Sequence, residues 1–200
     1  MKLLILALVF VGTANAAPTQ EPAGIKVPIV RQTGEANCGP TTAAMLLAAY
    51  FQVDVSSLRD EIGEWSWPKR PNGFTSVRTM LDTLNQFGRG IAFSEMEHHP
   101  WIPIEAWSIL NMKAAVTTGK PVVVLADAPI LWDTPKADGM HWIVVTGFIG
   151  GIVVANDPSD GSVIAIPMDR FWGAWRLGKK YRNFGQSFEA VIPNRSVDKG

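Results

Sequence analysis

The sequence predicts an α+β domain, with helices in the first part of the chain and an antiparallel sheet in the second. Three observations carry this. Up to about residue 118, apolar residues recur mainly at helical spacing. After Pro121 the pattern changes to short, β-rich apolar runs. Those runs are separated by turn signals, Gly150-Gly151 and Asp157-Pro158-Ser159-Asp160-Gly161, that suit a meander of neighbouring strands.

Each element has its own reason. Residues 17–30 hold three prolines and read as an extended arm or first strand ending in Val27-Pro28-Ile29-Val30. Residues 38–51 read as a helix: Pro40 suits its first turn, and the run Ala43 to Ala49 is apolar on every side, so this helix belongs inside the domain. Residues 63–74, rich in Trp, Pro and Gly, read as a loop. Thr75 or Ser76 caps a second helix, on which Val77, Met80, Leu81, Leu84 and Phe87 share a face and which Gly88 stops. A third helix is expected over 104–118, with Gly119 past its end. Strands follow at 122–126, 141–149, 152–156 and 163–166. A short helix over 168–175 and a closing strand over 187–192 complete the domain. The helices are expected on one side of the sheet.

Composition bounds the function. With 200 residues, one ordinary domain fits, and 47% hydrophobic residues can supply its core. Lys plus Arg balance Asp plus Glu at 18 each, so no basic excess attracts nucleic acid. The first residues, MKLLILALVFVGTANAAP, combine Lys2, a nine-residue apolar stretch and the small-x-small site Ala14-Asn15-Ala16. A signal peptide over 1–16 is therefore expected, then a domain over 17–194 and a flexible tail over 195–200. Nine apolar residues do not span a bilayer, which needs about 20. The expectation is an exported protein, secreted or periplasmic, without stable membrane insertion.

The single cysteine, Cys38, cannot form an intrachain disulfide. It stands at a predicted helix start, where the helix dipole favours a thiolate over a thiol. Gly39 allows a close approach beside it. Gln32, six residues upstream, is a candidate to pair its side-chain amide with the Cys38 backbone N–H as an oxyanion hole. A thiolate needs a partner, and the chain has three histidines. His141 opens a strand. His98 and His99 lie in a polar loop, with no third ligand at metal-binding spacing. Asp157 ends the strand that returns from the Gly150-Gly151 turn, with Asn156 as the competing residue to orient His141. His141 is nine residues before Gly150 and Asp157 six after Gly151, an offset that slanted pairing or a bulge absorbs.

The run QTGEANCGPT, together with GMHWIVVTGF and ANDPSDG in the same order, resembles the motifs of papain-like cysteine peptidases related to the bacteriocin-processing, double-glycine leader peptidases. The resemblance spans about Val27 to Ile166. It implies a papain-like fold, with N-terminal helices on a C-terminal antiparallel sheet. It also implies Cys38 as nucleophile, His141 as base, Asp157 as orienting acid and Gln32 as oxyanion donor, acting on a peptide or protein without metal or cofactor. Well-known members of that family are domains of membrane transporters, and no transporter segment is present in this sequence. Two alternatives stay open: a peptide- or glycan-binding module on the same fold, and a thiol acyltransferase. Of the eight tryptophans, Trp65, Trp67 and Trp132 fall in predicted loops, where they are candidates to wall a substrate groove.

Overall fold

A computed structural model describes residues 26–69, 73–91, 101–104, 109–135, 139–176 and 190–193. The expected signal segment, His98, His99 and the C-terminal tail lie outside the described residues. In chain order the elements are α1 (Cys38–Phe51), α2 (Val55–Ser66), a single 3-10 turn (Trp67–Lys69), α3 (Val77–Ile91), β1 (Trp101–Ile104) and α4 (Ile109–Thr117). Then come β2 (Val122–Asp127), α5 (Ala128–Leu131), β3 (Met140–Ile149), β4 (Ile152–Asp157), β5 (Ser162–Pro167), α6 (Met168–Arg176) and β6 (Ala190–Pro193). The strands form one sheet in the order β1-β6-β2-β3-β4-β5, antiparallel throughout.

α1 is buried on every side from Gly39 to Ala48, as its all-round apolar sequence requires. It packs with α2 and α3 on one face of the sheet, in a core with Met45, Leu46, Leu47, Ile62, Met80 and Leu84. The sheet contributes Val123, Leu125, Trp142 and Val144 to that core. The alternate residues Val122, Val124, Ile143 and Val145 face the other way, as a period of two demands. There they meet Met112 and Val116 of α4 and Phe171 and Trp175 of α6 in a second core. The sheet is thus covered on both faces, which corrects the expectation of helices on one side. The later helices are what bury the alternate residues of β2 and β3.

The turns match their sequence signals. Gly150 and Gly151 adopt φ of 53° and 85°, as a tight two-residue hairpin demands. Ser76 caps α3 by accepting from the Thr79 N–H at 3.1 Å. One irregularity interrupts the hairpin: between Val145 and Gly147 the pairing shifts by a residue, so Val145 faces Ala155 while Gly147 faces Val154. Thr146 is the extra residue of a β-bulge.

Other expectations need revision. Residues 55–66 form α2 where no helix was expected, and the loop expected over 63–74 loses its first four residues to it. Asp54 caps this helix by accepting from the Ser57 N–H at 2.7 Å, and Leu58 and Ile62 bury its inner face. α3 runs past Gly88 to Ile91, because Gly88 does not take the left-handed backbone that would end the helix. Of the helix expected over 104–118, Ile109–Thr117 is described as α4, with 105–108 outside the described residues, and Trp101–Ile104 forms an edge strand, the kind of strand in which a proline such as Pro103 is tolerated. Val27–Val30 joins no strand.

Candidate active site

The first half of the site is the turn leading into α1. Asn37 precedes Cys38, but its side chain makes no cap; its Nδ2 donates to the Thr33 hydroxyl at 3.0 Å. Pro40 has no N–H to satisfy. The first-turn amides of α1 therefore stay directed at the space around the sulfur, with no acceptor side chain taking them. Gly39 is required by contact, since a Cβ there would run into the side chain of Thr75. The Gln32 backbone N–H donates to the Pro158 carbonyl at 2.7 Å, which ties this turn to the end of β4. The Gln32 side chain folds back along its own loop, its Nε2 giving a long 3.4 Å hydrogen bond to the Glu35 carbonyl.

The second half comes from the ends of β3 and β4. His141 Nε2 and Asp157 Oδ1 lie 2.7 Å apart, and both side chains are buried. The bulge makes this possible, because it places Asp157 two ladder positions from His141 on the same face. Asn156, the competing residue, points to the opposite face, where its Nδ2 donates to the Val27 carbonyl at 3.1 Å. The geometry therefore sets Asp157 and not Asn156 beside the imidazole. Asp157 Oδ1 also accepts the Ser159 N–H at 2.8 Å, within the Asp-Pro turn.

The two halves meet. Burial raises the Cys38 pKa, but a hydrogen bond from His141, its positive charge and the backbone N–H groups of Trp142 and Gly39 together outweigh this, and the net direction is down. Burial lowers the His141 pKa, but the hydrogen bonds and charges of Asp157 and Cys38 prevail and push it up to about 9. Burial likewise acts against the charged form of Asp157, yet His141 and the Ser159 amide hold its pKa down to about 2. All three directions favour a thiolate–imidazolium–carboxylate array, in which Nε2 serves the carboxylate and the other ring nitrogen is left for the sulfur.

One participant was not legible beforehand. The indole Nε1–H of Trp132 donates to Asp157 Oδ2 at 2.8 Å, and its ring lies 4.6 Å from the imidazole, centre to centre. The sequence offered Trp132 only as a groove wall, since its partner is 25 residues away in the chain. Trp65 is no loop residue: it sits on α2 and packs edge-on against Phe87, with 5.6 Å between the rings. Trp67 is 60% exposed and lines a cleft of about 410 Å³ together with Thr33, Asn37, Pro40 and Glu64. Thr33, Asn37 and Pro40 bring the turn around Cys38 to the edge of this cleft, whose lining includes none of Gln32, Cys38, His141 and Asp157. Among the described residues, no group of three or more His, Cys, Asp or Glu is placed to hold a metal ion, and no helix is long and apolar enough to cross a membrane.

Known proteins share the family and the fold of this chain. The model of the Peptidase_C39 like family matches residues 24–183. A putative C39-like peptidase from Bacillus anthracis superposes with a TM-score of 0.58 at 19% identity, covering 86% of this chain and 96% of the other. A double glycine motif protease from an AMS/PCAT transporter, solved in complex with the leader peptide, superposes with a TM-score of 0.51 at 18% identity, covering 86% and 96%. No curated protein matches the sequence.

Proposed function

Because this chain belongs to the Peptidase_C39 like family, we propose that it is an exported cysteine peptidase, with Cys38 as nucleophile, His141 as general acid and base, Asp157 as the group that orients His141, and Gln32 as an oxyanion donor. The observation that carries this reading is the buried 2.7 Å His141–Asp157 pair set against a cysteine at a helix N-terminus.

Each step follows from that geometry. The Cys38 thiolate adds to the carbonyl carbon of a peptide bond, and the carbonyl π electrons move onto oxygen. The new oxyanion is met by the Cys38 backbone N–H and by the Gln32 amide, which gives up its long bond to Glu35. His141 donates its proton to the departing amine as the C–N bond breaks, leaving a thioester. The neutral imidazole then takes a proton from water, and the resulting attack releases the acid and restores the thiolate. Asp157 stays ionised throughout and keeps the ring in one tautomer and one orientation. The substrate is a peptide, held along the cleft beside the Thr33–Asn37 turn. The sequence before Ala17 supports delivery across a membrane by a signal peptide.

The test is the reactivity of the only thiol. Iodoacetamide should modify Cys38 at pH 6 at least about tenfold faster than it modifies a free-cysteine peptide, because the sulfur is already anionic there. A rate that rises only around pH 8.5, as for an ordinary thiol, would remove the basis of the proposal.

A further inference from the structure

The carboxylate of Asp157 has two oxygens, and the peptidase reading uses one. Oδ1 serves His141 and the Ser159 N–H. Oδ2 serves the Trp132 indole N–H at 2.8 Å. The same indole lies over the imidazole, with ring centres 4.6 Å apart and planes inclined at 51°. One side chain therefore touches both members of the pair.

The chain around Trp132 is built to deliver it. β2 ends at Asp127, whose carboxylate accepts the Ile130 N–H at 3.2 Å and starts α5, a helix of a single turn. The Trp132 N–H closes that turn on the Ala128 carbonyl at 3.1 Å. Asp133 then takes a left-handed φ of 54°, which sends the chain away again. A capped turn and a sharp exit fix the direction of one large side chain, which points in at the end of β3.

We propose that Trp132 is a positioning residue: its indole N–H fixes the plane of the Asp157 carboxylate, and its ring keeps water off the His141–Asp157 hydrogen bond, so that the imidazole is held in one orientation toward Cys38. The inference rests on the peptidase reading above. A hydrogen bond shielded from water is electrostatically stronger than one that is wetted. A carboxylate bound at both oxygens cannot turn away from the ring. The ionisable groups that touch the indole are His141 from β3 and Asp157 from β4, and Cys38 of α1 is reached only through His141. Beyond it lie the capping Asp127 and the exposed Asp133–Arg170 pair at 3.4 Å.

The test uses iodoacetate on the full chain. This anionic reagent forms a C–S bond with loss of iodide, and it is drawn to a thiolate beside an imidazolium. Its rate therefore falls as His141 loses its proton. Trp132→Phe keeps a ring and removes the N–H. The alkaline limb should move down by about half a pH unit or more, and the maximal rate should fall about threefold to tenfold. A second measurement needs no variant. In the unmodified chain the ¹⁵N-labelled Trp132 indole, identified by its contact with the His141 ring, should exchange slowly with solvent and titrate with the same alkaline midpoint. A Trp132→Phe profile that superimposes on the wild type or moves to higher pH would overturn the inference, as would an indole proton exchanging as fast as that of free indole. A wild-type profile with no imidazolium-linked limb would sink the peptidase reading, and this inference with it.

Discussion

The core beneath α1, α2 and α3 and the core beneath α4 and α6 share one sheet, yet they hold different parts of the site. The first is built around Met45, Leu46, Leu47, Met80 and Leu84, and it presents Cys38 at the mouth of α1. The second is built around Val122, Ile143, Val153, Phe171 and Trp175. His141 and Asp157 lie on its side of the strands. Polar links tie the first side to the strands and the turn that carry His141 and Asp157. Gln32 N–H reaches the Pro158 carbonyl, Asn156 Nδ2 reaches the Val27 carbonyl, Thr42 Oγ1 reaches the Trp142 carbonyl at 3.2 Å, and Trp142 Nε1–H reaches the Thr75 carbonyl at 2.8 Å. Apolar contact gives each side its rigidity, and directional hydrogen bonds set one side against the other. Hydrophobic burial has no direction, so it alone cannot hold a sulfur in register with an imidazole.

The contrast can be broken most sharply by removing the contribution of each side in turn. Cys38→Ala should lower peptide hydrolysis by at least about 10⁴-fold, since no other group replaces the nucleophile. Asp157→Asn, on the other side, should cost about 10²- to 10³-fold, because the ring loses its orienting charge but not its presence. Initial rates on one peptide mixture, with circular dichroism to show that both variants fold, measure the pair. Equal losses would mean that the two sides do not divide the chemistry in this way.

The next effect is on stability against pH. His141 is held above its ordinary value of 6.5, so its contribution is fully present below pH 6.5 and is lost as pH rises through about 9. Asp157 is held below its ordinary 3.8, so its contribution is present above that value and is lost as pH falls toward about 2. Cys38 is held below its ordinary 9.0, so its contribution has the opposite sense to that of His141 and offsets the His141 loss between about pH 6.5 and 9. Urea unfolding should therefore show greatest stability on a plateau between about pH 6.5 and 9. In Cys38→Ala the alkaline decline should begin at lower pH, because the sulfur is one of the groups that hold the His141 proton.

The smallest effects belong to the links. A Cβ at Gly161 would stand 2.9 Å from the Arg31 backbone nitrogen, at a φ of 73° that disfavours any side chain. Gly161→Ala should cost about 1–3 kcal/mol and loosen the Gln32 turn, seen as a lower melting temperature with a several-fold loss of rate. Asn156→Ala should cost about 1–3 kcal/mol for the Val27 carbonyl left unbonded, while hydrolysis per folded molecule stays within about twofold.

Much of this was legible in the residues themselves. The all-round apolar run after Cys38 required a buried helix, and Gly150-Gly151 required a tight hairpin. The order of Gln32, Cys38, His141 and Asp157 marked the positions that the fold brings to one corner. α2 was hidden because Trp, Pro and Gly crowd its end, although Asp54 with Ser57 is a capping pair and Leu58, Ile62 and Trp65 recur at helical spacing. β1 was hidden because its strand identity comes from pairing with β6, about ninety residues later, and such pairing leaves no local pattern. The Trp132–Asp157 bond was hidden for the same reason. The sense in which Asn156 and Asp157 divide between the two faces depends on one residue of register, which composition does not record.

That last point gives Thr146 a significance beyond its modest chemistry. Counted strictly back from the Ile149–Ile152 pair, Val144 would stand across from Asp157, three places from His141, and an odd separation puts acid and base on opposite sides of the ribbon. By swallowing one residue, the strand turns odd into even: Val144 meets Asn156 instead, and Asp157 comes level with Ile143. The irregularity is an arithmetic correction, and a chain lacking Thr146 would reach the same alignment with an unbroken ladder.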